Sequence, residues 1–145
     1  MIIALGADHR GCEVVQRLAD SLCAAGNEVL LPLELSQDSA DYPDYAGAVG
    51  KLVGSAKADR GILVCGSGIG MSIAANKVNG VRAALVCDEL GARMSRAHND
   101  ANVLCLSADL LSASDIEHIT TLWLAEPFEG GRHQRRVDKI TALES

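Results

Sequence analysis

The chain has 145 residues, 48% of them apolar, and a formal net charge of −6. This length suits one domain, predicted over residues 1–145, with a sizeable core, and the apolar share excludes a disordered chain. The acidic balance and the content of one Trp, two Tyr and one Phe exclude a general nucleic-acid binder, which would show a basic surface and stacking aromatics.

Short apolar runs alternate with longer amphipathic runs along the chain. The short runs predict five strands, near 2–5, 28–31, 61–65, 82–86 and 103–106. The longer runs predict six helices, at 12–25, 45–56, 71–77, 89–97, 114–124 and 134–143. This alternation predicts an α/β fold, a parallel sheet with helices on both faces and a helix at the C-terminus.

Local signals predict several helix ends. Gly26-Asn27 is typical of a helix C-cap, and 112–115 supplies N-cap candidates for the fifth helix. Pro43 predicts an extended Tyr42 and a helix that begins shortly afterwards.

The chain shows no signal peptide and no apolar run as long as a membrane span, which predicts no membrane partner. Its five cysteines form no C-x-x-C pair, so neither a zinc knuckle nor a thioredoxin-like motif is expected. Free thiols without a signal peptide favour the cytoplasm. We expect Cys12, Cys23, Cys87 and Cys105 to be small buried core residues.

In a parallel sheet, ligands bind beyond the carboxyl ends of the strands. The functional residues should therefore directly follow strands. Three segments meet this condition: Asp8-His9-Arg10, Cys65 to Gly70, and Cys87-Asp88.

The glycine-rich segment Cys65-Gly66-Ser67-Gly68-Ile69-Gly70 is the strongest functional signal. An apolar strand leads into it and a helix-like run leaves it, an arrangement whose backbone N–H groups favour anions. Cys65 stands where the strand ends and the donors begin. A thiol there suits proton abstraction next to a carbonyl, or nucleophilic attack on one.

Other interpretations of the same loop stay open at this point. The dinucleotide fingerprint G-x-G-x-x-G fails because Met71 replaces the last glycine, although Asp88 lies about 20 residues on, where a ribose-binding acid would lie. A non-catalytic nucleotide- or sugar-phosphate-binding module is one alternative. A cysteine hydrolase with His98 as its base is another.

Further polar residues have ordinary structural explanations beside functional ones. Asp8 could cap a helix, and His98-Asn99 could be a histidine at a helix C-terminus followed by a turn. Arg132 and Arg136 are four residues apart and share a helix face, where they could form a solvated basic surface or clamp a phosphate.

Five motifs occur together in order: 6–11 (GADHRG), 41–43 (DYP), 65–77 (CGSGIGMSIAANK), 95–103 (SRAHNDANV) and 129–137 (EGGRHQRRV). In these motifs the chain resembles the ribose-5-phosphate isomerase type B family, which includes the galactose-6-phosphate isomerase subunits. The resemblance covers nearly the whole chain. It implies a Rossmann-like αβα sandwich around a five-stranded parallel sheet. It also implies a homodimer or homotetramer with shared active sites, and no metal or other cofactor.

The resemblance further implies roles for named residues. Cys65 would move a proton between C2 and C1 of a sugar phosphate, and Ser67 would help to move one between O2 and O1. The N–H groups of Gly66, Ser67, Gly68, Ile69 and Gly70 would hold the enediolate. The remaining roles are ring opening by Asp8 and His98, phosphate binding by His9, Arg132 and Arg136, and a pocket lined by Asn99 and Tyr42.

One position departs from the family pattern. Many relatives have Gly-Ser-Arg after the fifth strand, with the arginine near the phosphate, whereas this chain has Ser107-Ala108-Asp109. An acid there would repel a phosphate unless it points away. The expected substrate is ribose 5-phosphate, converted to ribulose 5-phosphate in the pentose phosphate pathway, with a tetrose or hexose phosphate as the alternative.

Overall fold

A computed structural model describes residues 1–144. Five strands form one sheet in the order β2-β1-β3-β5-β4, and every adjacent pair is parallel. The strands are β1 Ile2–Ala7, β2 Glu28–Leu30, β3 Arg60–Cys65, β4 Ala83–Leu85 and β5 Val103–Ser107. The helices are α1 Cys12–Ala24, α2 Tyr42–Gly54, α3 Ile69–Ala75, α4 Glu89–Ala97, α5 Ala113–Ala125 and α6 Arg132–Thr141. The predicted α/β sandwich with a C-terminal helix is confirmed.

The sheet separates two apolar cores because successive side chains on a strand point to opposite faces. Ile62 and Val64 point into the core that α1 and α5 cover. Leu63 and Cys65 point into the other core, which α2 and α3 cover. The sulfur of Cys65 therefore lies on the α2 and α3 side of the sheet.

The three central strands end at one level. Ala7 on β1 pairs with Val64 on β3, and Cys65 pairs with Ser107 on β5. The N–H of Asp8 donates to the carbonyl of Val64 at 3.3 Å, which joins the first residue after β1 to this level. The residues that follow β1, β3 and β5 consequently meet at one edge of the sheet, which confirms the predicted proximity of 8–10 and 65–70.

The helix ends follow their predicted chemistry in two places. Gly26, at φ +90°, follows the C-cap residue Ala25 of α1 in the left-handed conformation that glycine adopts without strain. Ser112 begins α5 with a capping box, in which its hydroxyl accepts from the N–H of Asp115 at 3.0 Å and the Asp115 carboxylate accepts from its backbone N–H.

Four helix starts were predicted too late, that of α5 by one residue, those of α3 and α6 by two and that of α2 by three. Helix α2 begins at Tyr42, so the extended residue before it is Asp41 and the prediction for Tyr42 is wrong. Pro43 lies in the first turn, where its missing N–H costs no hydrogen bond. Helix α3 begins at Ile69, since the N–H of Ser72 already donates to the carbonyl of Gly68.

Two cysteine predictions are also wrong. Cys12 and Cys105 are buried, but Cys23 and Cys87 are exposed. Cys23 lies beside the buried Leu22 in the last turn of α1, and one step of about 100° around a helix turns it toward solvent. Cys87 lies in the loop after β4. Across residues 1–144, no helix has the length and apolar character needed to cross a bilayer.

Candidate active site

The loop that leaves β3 folds back over the sulfur of Cys65. Gly68 lies at φ +75°, and its N–H donates to Sγ of Cys65 at 3.2 Å. A Cβ on Gly68 would lie 2.6 Å from Cδ1 of Leu85 and 3.1 Å from the carbonyl oxygen of Leu106. Both the conformation and the space therefore require glycine, and the close packing fixes the donor on the sulfur.

The same loop presents backbone donors that have no acceptor in the described part of the chain. The N–H of Ile69 donates to the hydroxyl oxygen of Ser67 at 3.2 Å. No residue among 1–144 accepts from the N–H groups of Ser67, Gly70 or Met71. A bed of such groups can stabilise an oxyanion.

The phenol ring of Tyr42 closes one side of this loop. A Cβ on Gly70 would lie 2.5 Å from Cε2 and Cζ of Tyr42, so the ring packs directly on the glycine backbone. Ser67 and Ile69 are exposed, whereas Cys65 is only 4% exposed. The thiol therefore lies at the bottom of the site, with the hydroxyl at its rim.

Asp8 and His9 follow β1 and reach the same edge. Asp8 is 6% exposed, and its Oδ1 accepts from the N–H of Arg10 at 2.9 Å, so it orders the turn rather than capping α1. Nδ1 of His9 accepts from the N–H of Ala40 at 3.4 Å. This bond makes Nδ1 the acceptor and leaves Nε2 without a partner among residues 1–144.

The carboxylate of Asp109 is paired with the guanidinium of Arg10. Nε of Arg10 donates to Oδ1 of Asp109 at 2.9 Å, and Nη2 donates to the same oxygen. The hydrogen bond to Asp109, with its negative charge, raises the pKa of Arg10 above its ordinary value. The expected repulsion of a phosphate by Asp109 is thus offset by a cation that the family comparison did not indicate.

The remaining predicted residues form a second cluster. His98 and Asn99 follow α4, and Arg132 begins α6 with Arg136 one turn later. The rings of His98 and His133 stack with centroids 4.2 Å apart. Oε2 of Glu129 lies 3.4 Å from Nε2 of His133 and 3.8 Å from Nε2 of His98.

The His98, Glu129 and His133 cluster has ligand-type atoms within 4.8 Å of one another. Its geometry is nevertheless poor for a metal ion. A metal ion lies close to the plane of each imidazole that binds it, whereas these two ring planes are within 10° of parallel and are stacked. The cluster is better described as two histidines sharing the negative charge of one carboxylate.

A partly buried ionic network holds the turn that carries His98 and Asn99. Arg96, 4% exposed, donates to Oδ1 of Asp100 at 2.7 Å and to the carbonyl of Ala101 at 2.7 Å. Arg82 donates to Oδ2 of the same Asp100 at 3.1 Å. The Asp100 carboxylate therefore accepts hydrogen bonds from two guanidinium groups. The backbone of Asp100 lies at φ +46°, and these bonds fix the turn that follows His98.

This second cluster lies at the opposite edge of the sheet from Cys65. Helix α4 leads back to the start of β5, where the N–H of Asn102 donates to the carbonyl of Arg82 just before β4. Val103 begins β5 and Ser107 pairs with Cys65, four residues later. At ~3.3 Å per residue, the two edges are about 13 Å apart along the strand. Within one chain, then, His98, Asn99, Arg132 and Arg136 are not brought together with Cys65.

Two features of the site were not predicted from the sequence. One is the Arg10–Asp109 pair, whose members are 99 residues apart. The other is Glu129, which faces both His98 and His133. The i, i+4 spacing of Glu129 and His133 could have indicated half of that contact.

The similarity to known proteins extends over the full length of the chain. A family model described as Ribose/Galactose Isomerase matches residues 3–140. The chain is 42% identical over 142 residues to ribose-5-phosphate isomerase B of Escherichia coli (strain K12), over 98% of this chain and 95% of that protein. A structure of Clostridium thermocellum ribose-5-phosphate isomerase B superposes with a TM-score of 0.97 at 44% identity, covering 99% of this chain and 97% of that one. A Mycoplasma genitalium ribose-5-phosphate isomerase B with bound ribulose-5-phosphate superposes with a TM-score of 0.91 at 41% identity, covering 99% and 95%.

Replacing Gly68 should destabilise the protein. Gly68→Ala places a Cβ against Leu85 and Leu106 at a positive φ, and we expect a loss of about 2 kcal/mol or more in the free energy of unfolding. Chemical denaturation measures this loss. Gly47→Ala is the control, since a Cβ there meets nothing within 4 Å and alanine is favoured inside α2. Equal effects of the two changes would contradict the packing described for the loop.

The free energy of unfolding should depend on pH through the protonation of His133. Burial lowers the pKa of His133 below its ordinary 6.5, and His98 and Arg132 lower it further, while Glu129 opposes them. The unfolded chain then binds a proton more readily, so stability is full above pH 6.5 and falls as the pH drops through that value. Melting temperatures at fixed protein concentration should fall less steeply below pH 6.5 for His133→Asn than for wild type. Parallel curves would argue against this assignment.

Proposed function

The chain belongs to the ribose/galactose isomerase family, and from that premise we propose how its residues interconvert ribose 5-phosphate and ribulose 5-phosphate. The protein is an aldose–ketose isomerase of sugar phosphates, an intramolecular oxidoreductase of the ribose-5-phosphate isomerase B type. The observation that carries the proposed mechanism is the Cys65 sulfur under the N–H of Gly68, beside unoccupied backbone donors.

Cys65 is the base of the proposed reaction. Its thiolate removes the proton from C2 of the open-chain aldose, and the C2–H electron pair forms the C1–C2 double bond of an enediolate. The thiol then returns the proton to C1, which produces the ketose. Ser67, at the rim, transfers the proton between O2 and O1, so that the hydroxyl at C2 becomes the carbonyl and the carbonyl at C1 becomes the hydroxyl. A positioned base contributes ~10²–10⁴ in rate.

The glycine loop stabilises the negative charge that this step creates. In this proposal the N–H groups of Gly66 to Gly70 hold the enediolate: the free ones of Ser67 and Gly70 face its oxygens, and those of Gly68 and Ile69, which donate to Sγ of Cys65 and to the hydroxyl of Ser67, add their dipoles to the same site. They are fixed before the reaction, so they require no reorganisation when the charge develops. One such donor is worth ~10²–10³ in rate.

The residues around this centre have binding roles in the proposal. Asp8, buried beside the loop, and His98 assist the opening of the furanose ring. His9, Arg132 and Arg136 bind the phosphate, and Tyr42 and Asn99 line the pocket. Binding energy from the phosphate, remote from C2, positions the sugar for proton transfer.

A second copy of the chain is needed to complete this set. His98, Asn99, Arg132 and Arg136 lie at the other edge of the sheet from Cys65, so we propose that they enter the site from a second copy. Ile69 and Ile73 support this arrangement, because they are 52% and 59% exposed on α3, directly beside the loop. Exposed apolar residues around a site are typical of a protein interface. The proposed assembly is a homodimer or a homotetramer with shared active sites.

Cys65→Ala should reduce kcat for ribose 5-phosphate isomerisation by ~10² or more, because the base is lost. Cys105→Ala is the matched control, since Cys105 is a buried thiol on the neighbouring strand whose pKa is raised by burial and which has no role in the reaction. Steady-state assays on folded protein measure both. Near-normal turnover by Cys65→Ala would remove the base from the proposal.

Mixing two inactive variants should restore activity if the sites are shared. Cys65→Ala and His98→Asn each damage every site in their own homodimer. A mixed dimer combines both changes in one site and leaves the other intact, so random reassortment should recover roughly a quarter of wild-type activity. The assay follows isomerisation after the variants are dissociated and reassembled together. Full reassortment without any recovered turnover would show that each chain builds its own site.

A further inference from the structure

Arg10 and Asp109 form an ion pair against the backbone of Gly66 in the glycine-rich loop 65–70. Nε and Nη2 of Arg10 both donate to Oδ1 of Asp109, and the two side chains are 54% and 51% exposed. A Cβ on Gly66 would lie 3.0 Å from Oδ2 of Asp109 and 3.1 Å from Cδ of Arg10. The pair therefore occupies the space that the missing side chain of Gly66 leaves, one residue from Cys65.

The fold gains little from this pair. Ion pairs that are half exposed pay conformational entropy and are screened by water and salt. The surrounding turns also have their own bonds, since the N–H of Arg10 donates to Asp8 and the N–H of Asp109 donates to the carbonyl of Gly66 at 3.1 Å. A structural role alone does not account for two opposite charges placed at the loop.

The guanidinium retains donors for a ligand. Asp109 uses Nε and Nη2, and within residues 1–144 no acceptor receives a hydrogen bond from Nη1. The pair borders two cavities: Arg10 lines one of about 190 Å³, and Asp109 lines another of about 380 Å³ together with Gly66 and Ser67. The planar fork of an arginine, held by a carboxylate on one edge, can bind a phosphate oxygen with its free edge.

We propose that Arg10 binds the phosphate group of the substrate and that Asp109 is the positioning residue that holds its guanidinium in place. This inference rests on the proposed isomerase function. Arg10 comes from the same chain as Cys65, whereas Arg132 and Arg136 lie at the opposite edge of the sheet. Through Arg10, the chain that supplies Cys65 also binds the phosphate.

The position of Arg10 favours the phosphate over the reacting carbons. The Cys65 side chain points into the core that α2 and α3 cover, while Arg10 lies on the other side of the loop, over Gly66. C2 of the sugar must approach the sulfur, and the phosphate is several bonds away from C2. The contact with Arg10 is one of several at the phosphate and is made equally in the ground state and the transition state, so its loss changes KM and leaves kcat nearly unchanged.

The test compares steady-state kinetics of Arg10→Ala, Arg10→Lys and wild type with ribose 5-phosphate. We expect Arg10→Ala to raise KM about tenfold, to raise the inhibition constant of inorganic phosphate similarly, and to change kcat less than about threefold. Arg10→Lys should recover part of the loss, because it keeps the charge without the fork. Arg93→Ala is the control, since Arg93 on α4 forms a half-exposed surface pair with Glu126 at 2.8 Å and should leave KM unchanged.

Asp109→Asn separates positioning from repulsion. In the wild-type background this change should raise KM moderately, because the guanidinium of Arg10 loses the carboxylate that positions it. In the Arg10→Ala background it should lower KM, because the uncompensated carboxylate no longer repels the phosphate. A double-mutant cycle reports this coupling. Additive effects of the two changes would exclude Asp109 as the positioning residue.

The outcomes separate this inference from the proposed function. If wild type isomerises ribose 5-phosphate and Arg10→Ala leaves KM and the phosphate inhibition constant unchanged, the role of Arg10 is wrong and the isomerase stands. A fall in kcat alone would place Arg10 at the reacting atoms and would also overturn the inference. If wild type shows no turnover, the proposed function fails, and calorimetric titration of wild type and Arg10→Ala with ribose 5-phosphate decides the role of Arg10 in binding.

Discussion

The hydrogen bond from the N–H of Gly68 to the sulfur of Cys65 is the contact on which the site depends. It exists because the chain turns back on itself at a positive φ, against Leu85 and the backbone of β5, where no side chain fits. The same turn directs the N–H groups of Ser67 and Gly70 away from internal acceptors. One backbone constraint therefore places a donor on the sulfur of Cys65 and leaves free backbone donors beside it, which the proposed reaction uses to stabilise the enediolate.

The second constraint is the parallel sheet itself. A strand carries its following loop to one edge, and the returning helix carries its own C-terminal turn to the other edge. Cys65 lies at the first edge, and His98 lies at the second, held by Arg96 and Asp100. A single domain of this topology separates the two sets by the length of β5. Two copies arranged so that opposite edges meet would restore one complete site at each junction.

The order of elements, the glycine loop and the caps could be predicted because each depends on residues close in sequence. Gly26 and Ser112 show this, since their partners lie within a few positions. Tyr42 was misassigned because the packing of its ring on Gly70 and the early start of α2 depend on tertiary context.

The pairing of Arg10 with Asp109 could not be predicted from local pattern, because 99 residues separate them and only the adjacency of β1, β3 and β5 brings them together. The resemblance to the family indicated an unfavourable acid at Asp109, since it compares one position at a time. The exposure of Cys23 and Cys87 has a similar origin, because the burial of a single residue depends on which face its element turns inward.

The central claim is that the sulfur of Cys65 contacts C2 of the sugar beside the backbone N–H groups of the loop 65–70. A crystal structure of the protein with a five-carbon enediolate analogue tests this most directly. We expect Sγ of Cys65 at ~3–3.5 Å from the analogue's C2, its oxygens on the N–H groups of the loop, and Arg132 and Arg136 of a second copy on its anionic end. An analogue bound with its reactive carbons out of contact with that sulfur would contradict the account.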